Sequence, residues 1–157
     1  MSFDNCIRRF DVPGTIVHGA GCRQQLPTIA RELGATRVLI VTDSGIVKFG
    51  VADEIRKLLE SAGLSVAVFD SVQPDPTDAN VAAGVVALDA HRADCIVALG
   101  GGSPIDTAKV IAVRNANPGE LASYMGLHKI TCAGVPVIAV PTTAGTGSEA
   151  TKVAVIT

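Results

Sequence analysis

Three consecutive glycines, Gly100 to Gly102, follow directly on a run of apolar residues in the segment CIVALGGGSPIDTAK. Glycine loses more backbone freedom on ordering than any other residue, so three in a row indicate that something must approach the bare backbone. Ser103 is a favoured N-cap residue, Pro104 suits the first helical position, and Asp106 completes a sequence close to a capping box. Because the unpaired N–H groups of a helix start attract anions, the segment predicts a phosphate-binding turn.

This glycine turn matches neither of the two common phosphate loops. A P-loop requires a lysine directly at the loop, whereas Lys109 lies well along the predicted helix. A dinucleotide fingerprint of the G-x-G-x-x-G type requires glycine where Ile105 stands. A well-capped strand-to-helix turn without a ligand is the alternative, although such a turn needs one glycine rather than three.

A second loop of similar character lies near the end of the sequence, in VIAVPTTAGTGSEATKVAVIT. Hydroxyls hydrogen-bond phosphate or sugar oxygens without adding charge, and the interleaved glycines permit close approach. A polar hairpin without a ligand is the alternative for this loop alone, but two such loops in one parallel-sheet domain favour a joint site. The hydroxyl residues of the loop are Thr142, Thr143, Thr146 and Ser148.

Short apolar runs alternate with helical patterns along the whole chain. The runs are apolar at every position rather than at alternate ones, which is typical of a parallel sheet covered on both faces by helices. In such folds ligands bind beyond the carboxyl ends of the strands, where Asp43, Asp70, Asp75 and both loops would lie. Strands are predicted at 37–43, 64–70, 95–100, 135–141 and 151–157, and helices at 22–34, 51–63, 77–92 and 103–117.

Composition argues against several classes of function. The 157 residues include 13 basic and 15 acidic side chains, and the basic ones form no stripe that a nucleic acid could follow. No apolar run approaches the ~20 residues of a membrane span, and the N-terminus is unlike a signal peptide. We therefore expect no nucleic-acid or membrane partner and a cytoplasmic location. Charged residues make up only 18%, which indicates either an alanine- and valine-rich core or a face covered by another domain or subunit.

Neither the four cysteines nor the three histidines have the spacing of a metal site. The sequence contains no C-x-x-C pair, and no two histidines stand four residues apart. Cys95 lies inside an apolar strand and is interpreted as a small core residue. The sequence therefore predicts no metal ligand in this chain. The residues concerned are Cys6, Cys22, Cys95, Cys132, His18, His91 and His128.

Together, the motifs GGGSPIDTAK and PTTAGTGSE resemble those of the iron-containing (group III) alcohol dehydrogenases. The resemblance covers the chain, since FDVPGTIVHGAG, VTDSGI and VQPDPT also stand in family order. It implies one Rossmann-like α/β domain over residues 1–157, with a parallel sheet and helices on both faces, as in the N-terminal domain of dehydroquinate synthases. Glycerol dehydrogenases share this fold and the glycine turn, whereas PTTAGTGSE is similar to the alcohol dehydrogenase branch.

The resemblance implies that the chain binds a nicotinamide dinucleotide. Gly101, Gly102 and Ser103 match the positions that bind its pyrophosphate. Asp43 matches the acid that accepts the hydroxyls of the adenosine ribose. The negative charge of this residue would repel a 2′-phosphate, so the resemblance favours NAD over NADP.

Further positions of the predicted cofactor site follow from the same resemblance. Asp75 stands where the family often has Asn. Asp106 and Lys109 belong to the first motif. The alternative to a role at the cofactor is that Asp106 only caps the helix and that Lys109 is only a cation on the helix surface. The positions that match residues lining the cofactor cleft are Thr142, Thr143, Thr146 and Val155.

Members of this family are much longer than the present chain. The resemblance implies a second, all-helical domain beyond Thr157, in which an Asp and three His hold Fe²⁺, or Zn²⁺ in some members. That metal polarises the alcohol oxygen while hydride passes to the nicotinamide. We expect this chain to be a fragment that binds NAD but lacks catalytic and metal-binding residues. The complete protein would be a homodimer or larger homo-oligomer that oxidises small alcohols or diols, or reduces their aldehydes.

Two other classes of function stay open on the sequence. A stand-alone, non-catalytic module that binds nucleotides or phosphate would contain the same two loops, and an α/β interaction domain would use them only as turns. A stop codon after Thr157 in the natural gene would favour the module, whereas a longer reading frame would favour the dehydrogenase.

Overall fold

The structure is a computed structural model that describes residues 14–126 and 129–157. Within these residues the chain alternates between strands and helices. The strands are β1 (Arg37–Val41), β2 (Ser65–Phe69), β3 (Cys95–Gly100) and β4 (Val137–Pro141), and the α-helices are α1 (Leu26–Glu32), α2 (Ser44–Lys48), α3 (Val51–Ser61), α4 (Asp78–His91) and α5 (Gly102–Arg114). The strands form one sheet in the order β2-β1-β3-β4, and every neighbouring pair is parallel. The predicted α/β fold with a parallel sheet is confirmed.

The two faces of the sheet pack against different helices, as the unbroken apolar strands predict. On one face, Val38 and Ile40 of β1 share a buried cluster with residues of α1 and α3. On the other face, Leu39 and Val41 pack with residues of α4 and α5. Alternate residues of a strand point to opposite faces of the sheet. Since helices cover both faces, every position of β3 is buried.

Several element boundaries differ from the sequence prediction for identifiable reasons. The first α-helix begins at Leu26 rather than residue 22, since Pro27 lacks an N–H and is best accepted in a first turn. The preceding residues, Cys22–Gln25, form a 3₁₀ turn instead. The short helix α2 was not predicted, and the Asp43 side chain caps it.

The predicted strand at 151–157 is wrong. These residues follow a 3₁₀ turn at Ser148–Ala150 and adopt neither helix nor strand. Their backbone instead bonds to other partners: Val155 N–H donates to the Asp106 carboxylate at 3.0 Å, and Thr157 N–H donates to Pro76 O at 2.8 Å. An apolar, β-branched run is ambiguous by pattern alone, because a strand also requires a neighbour along its edge.

Asp94, just before β3, ties this strand to the start of β1. Its carboxylate accepts hydrogen bonds from the Thr36 hydroxyl at 2.6 Å and from the N–H groups of Thr36 and Arg37 at 2.9–3.0 Å. Partial burial raises the pKa of Asp94, but the hydrogen bonds from Thr36 and Arg37 outweigh it and leave the pKa below its ordinary value.

We expect Asp94→Ala to lower the free energy of unfolding by about 1–3 kcal/mol, because the backbone donors of Thr36 and Arg37 lose a charged acceptor. The contribution of this carboxylate is present above its unfolded-state pKa and is lost as the pH falls through its lower folded-state pKa. Urea unfolding of both proteins between pH 7 and pH 2 tests this. A difference in stability that stays constant over that range would contradict it.

Among the described residues, no helix combines the length and the apolar character that crossing a bilayer requires.

Candidate functional site

The carboxyl ends of the four strands bring the predicted site residues to one edge of the sheet. Asp43 follows β1, Asp70 follows β2, and the glycine turn ends β3. Gly100 is paired in register with Pro141 of β4, and the N–H of Thr142 donates to the Gly100 carbonyl at 2.9 Å. The two loops singled out in the sequence therefore start side by side, which is where ligands bind in parallel sheets.

Gly100 is a glycine for two steric reasons. Its φ of +145° is a backbone conformation that residues with a side chain rarely adopt. A Cβ on this residue would also lie 2.7 Å from Pro104 Cγ and 3.4 Å from Asp43 Oδ2. The absence of a side chain thus lets helix α5 start immediately after β3 and lets the Asp43 carboxylate approach the turn.

The next two glycines face the second loop, which we call the hydroxyl loop (residues 142–150). A Cβ on Gly101 would lie 3.1 Å from Thr143 Oγ1. A Cβ on Gly102 would lie 3.3 Å from Ser148 Oγ and 3.7 Å from Thr146 Cβ. Each of the three glycines therefore admits a different neighbour, and the glycine turn and the hydroxyl loop form one continuous surface.

Helix α5 starts one residue earlier than expected, and its cap differs. Gly101 occupies the N-cap position, so no side chain caps the helix, and Ser103 lies inside the first turn rather than at the cap. The predicted capping box with Asp106 is therefore wrong, because the glycine already leads the chain into the helix. Within the described residues, no side chain accepts from the N–H groups of the first turn, which is the arrangement that favours an anion.

Asp43 is held in one orientation by the backbone that follows it. Its Oδ1 accepts hydrogen bonds from Gly45 N–H at 2.8 Å and Ile46 N–H at 3.0 Å, which caps helix α2. Its Oδ2 is directed toward Gly100. The carboxylate is half-buried at the edge of the sheet, beside the glycine turn. A ligand at this turn would therefore meet a fixed negative charge.

Asp106 is buried, with only 6% of its surface exposed, and both of its oxygens are engaged. Oδ1 accepts from Lys109 Nζ at 3.1 Å, and Oδ2 accepts from the Val155 N–H at 3.0 Å. The structure thus joins two of the predicted site residues, Asp106 and Val155, to each other. Contact of Asp106 with a cofactor stays a prediction.

The remaining predicted residues lie around this surface. Asp75 is exposed in the loop after β2 and has a positive φ of 52°. It precedes Pro76, whose carbonyl binds the backbone of Thr157. Ser103 is partly buried in the first turn of α5, while Thr142 and Thr146 are exposed on the hydroxyl loop.

Two motif residues that were not assigned to a part of the cofactor from the sequence are central to the geometry of the site. Ser148 is buried and approaches Gly102 more closely than Thr146 does. Lys109 pairs with Asp106 and reaches residues beyond the hydroxyl loop. Lys109 belongs to the first motif and Ser148 to the second, and this membership was the only indication in the sequence that they matter. The contact of Lys109 with Thr151 and Val153 was not predictable, because these residues lie far from Lys109 along the chain.

The cysteines and histidines of the described residues do not form a metal site: no group of three His, Cys, Asp or Glu side chains lies together there. Cys6 and His128 lie outside the described residues. Cys95 is fully buried in β3, and its burial, reinforced by the charge of Asp94, raises the pKa of its thiol to about 12. The thiol is therefore protonated at neutral pH, and Cys95 is a core residue as predicted.

The sequence is similar to dehydrogenases that act on alcohols. It is 43% identical over 148 residues to the NAD-dependent methanol dehydrogenase of Bacillus methanolicus. The aligned region covers 94% of this chain and 39% of that protein. It is 38% identical over 154 residues to the 1,3-propanediol dehydrogenase of Klebsiella pneumoniae, with 96% and 40% covered. The chain thus spans about 40% of the length of these relatives.

The fold is similar to solved structures of dehydrogenases and reductases. The sulfoacetaldehyde reductase of Bifidobacterium kashiwanohense in complex with NAD⁺ aligns with a TM-score of 0.87 at 32% identity, over 98% of this chain and 40% of the reductase. A family model described as iron-containing alcohol dehydrogenase matches residues 13–157. The resemblance of the two motifs is confirmed, and the chain belongs to the iron-containing alcohol dehydrogenase family.

Proposed function

We propose that this chain is the NAD-binding domain of an alcohol dehydrogenase, and that the complete protein transfers hydride between NAD and small alcohols or their aldehydes. The observation that carries the proposal is the joint surface of the glycine turn and the hydroxyl loop beside the uncapped start of α5. It combines bare backbone, unpaired N–H groups and neutral hydroxyls, which together suit a pyrophosphate.

We assign the parts of the cofactor to residues along this edge. Gly101, Gly102 and Ser103 would bind the pyrophosphate, because their backbone forms the first turn of α5. Thr142, Thr143 and Thr146 are exposed beside it and would donate to phosphate or ribose oxygens. Asp43 would accept the adenosine ribose hydroxyls through the carboxylate held beside Gly100.

Asp75, Asp106 and Val155 complete the proposed site at its margins. Asp75 is exposed in the loop after β2, where its carboxylate is accessible to a ligand at the sheet edge. Val155 is exposed while its N–H is bound by Asp106, so its side chain would line the cleft. Asp106, only 6% exposed, would contribute by holding this backbone through the Val155 N–H, in addition to any contact that its carboxylate makes with the cofactor.

The nicotinamide of the bound cofactor supplies the hydride chemistry. The described residues include no set of side chains that would hold an iron or zinc ion, so we derive no step of the reaction through a metal. We propose that the metal ligands, the substrate pocket and the subunit contacts of a homodimer or larger homo-oligomer belong to parts of the complete protein other than these residues. A cytoplasmic location stays a prediction.

Titration of the complete protein with NAD and with NADP in a calorimeter tests the proposal. We expect saturable binding of NAD at one site per chain and weaker binding of NADP. If inorganic pyrophosphate binds but NAD does not, the protein is a phosphate-binding module instead. The absence of heat with either ligand in a folded sample would contradict the proposed function.

Substitution of Gly101 by alanine is expected to raise the dissociation constant of NAD about tenfold. The new Cβ would cover part of the bare backbone and would lie 3.1 Å from Thr143 Oγ1, so the Thr143 hydroxyl must shift away from the glycine turn. Gly14→Ala is the matched control, because no atom of the described residues lies within 4 Å of a Cβ there and the φ of Gly14 is not positive. Equal NAD affinity of Gly101→Ala and Gly14→Ala would contradict the assignment.

A further inference from the structure

Asp106 and Lys109 connect helix α5 to the residues that follow the hydroxyl loop. Lys109 Nζ donates to the Val153 carbonyl at 2.8 Å and to Thr151 Oγ1 at 3.3 Å, and it pairs with Asp106 at 3.1 Å. Asp106 in turn accepts from the Val155 N–H at 3.0 Å. Two side chains one helical turn apart therefore bind every second residue of the segment 151–155, which is neither helix nor strand.

Among the described residues, the hydroxyl loop is held over the glycines by the buried Ser148, which lies against Gly102, and by few other strong contacts. Its side-chain hydrogen bonds are long: Thr146 Oγ1 donates to Glu149 at 3.5 Å, and Ser148 N–H donates to Thr146 Oγ1 at 3.4 Å. Thr142, Thr143 and Thr146 are exposed. At its start the loop is anchored by the bond from Thr142 to Gly100. Beyond its other end, Asp106 and Lys109 bind the segment 151–155, and the Pro76 carbonyl binds Thr157 further along.

We propose that Asp106 and Lys109 are positioning residues, a clamp that holds the far end of the hydroxyl loop and thereby keeps its hydroxyls over the glycine turn. The consequence for cofactor affinity rests on the proposed function. A loop released at one end samples more conformations, and a ligand that requires one of them must order it on binding. Loss of the clamp at Lys109 therefore weakens cofactor binding without removing a residue that we assign to the cofactor.

The chemistry of the clamp suits this task. The side chains of Asp106 and Lys109 are only 9% and 20% exposed, so their hydrogen bonds are charge-assisted and poorly screened by solvent. Because Lys109 bonds to a main-chain carbonyl and Asp106 to a main-chain N–H, they fix the path of the backbone whatever side chains it carries. Removal of one charge alone would leave the other buried and unpaired.

The test uses Lys109→Met, Lys109→Arg and the double variant Asp106→Asn/Lys109→Met in the complete protein. The double variant removes both charges, so it keeps the test interpretable if Lys109→Met fails to fold. Lys57→Met is the control for the loss of a lysine charge, because Lys57 also pairs with an aspartate, Asp53 at 2.6 Å, but on the exposed side of α3.

Hydrogen exchange of the backbone amides at 143–150 is measured without any ligand and so does not depend on the proposed function. We expect exchange at least about tenfold faster than in the unmodified protein for Lys109→Met and the double variant, with no change for Lys57→Met. Lys109→Arg keeps a charged donor and should stay within about threefold. Unchanged exchange at 143–150 in both clamp variants would overturn the clamp.

The dissociation constant of NAD is then measured for the same proteins. We expect it to rise about tenfold in the two clamp variants and to recover in Lys109→Arg, with kcat changed less than KM. Faster exchange with unchanged NAD affinity would overturn the positioning role. If the unmodified protein itself binds no NAD, the proposed function fails, while the exchange result still decides the clamp.

Discussion

Replacement of Asp43 by asparagine is expected to lower the preference for NAD over NADP by about a hundredfold in kcat/KM. The carboxylate lies beside Gly100 at the edge where we propose the adenosine ribose binds. A 2′-phosphate placed there would meet a fixed negative charge of the same sign, which costs several kcal/mol in a partly desolvated site. Asparagine removes that charge.

Asparagine also separates the electrostatic effect from a structural one. Its amide oxygen can still accept the N–H groups of Gly45 and Ile46, which the Asp43 carboxylate binds at 2.8 and 3.0 Å. Helix α2 should therefore keep its cap. Asp43→Ala would lose both features and serves to measure the contribution of the cap to stability.

The measurement compares initial rates of the complete protein with NAD and with NADP. Asp89→Asn is the control for net charge, because Asp89 is exposed near the far end of α4. If the ratio of kcat/KM values changes equally in Asp43→Asn and Asp89→Asn, the assignment of the ribose to Asp43 does not hold.

Gly134→Ala is expected to lower the free energy of unfolding by at least about 3 kcal/mol. A Cβ on Gly134 would lie 1.9 Å from the Ala112 carbonyl oxygen and 2.8 Å from Val113 Cα. Both atoms belong to the backbone near the end of α5, so neither can turn aside as a side chain would. The chain must separate from α5 just before β4 begins.

Urea unfolding monitored by circular dichroism measures this loss. Gly84→Ala is the informative comparison, because its Cβ would meet side-chain atoms of Ile111 and, at 3.4 Å, Phe69 Cε1 rather than backbone, and should cost less, about 1–3 kcal/mol. Gly14→Ala should cost little, since a Cβ there meets no atom within 4 Å in the part of the chain that the structure describes. An unfolding midpoint for Gly134→Ala equal to that of Gly14→Ala would refute the steric explanation.

The sheet and the edge that carries the candidate site were predictable because they depend on local patterns. Continuous apolar runs such as that of β3 belong to strands buried on both faces, and parallel strands place their carboxyl ends together. The glycine turn was recognisable because three glycines in a row are costly unless the backbone must be bare. Each of these features depends on a short contiguous segment, so the α/β fold, the family and the position of both loops could be predicted from the sequence alone.

The tertiary structure alone decided how those loops are held together. The apolar run at 151–157 has the composition of a strand, yet its backbone bonds to Asp106 and Pro76 instead of to a neighbouring strand. Asp106 could be read as a helix cap, whereas it binds Val155, 49 residues further along the chain. Local patterns record the propensity of a residue, but which groups satisfy a buried carboxylate or a free N–H depends on what the fold brings beside them.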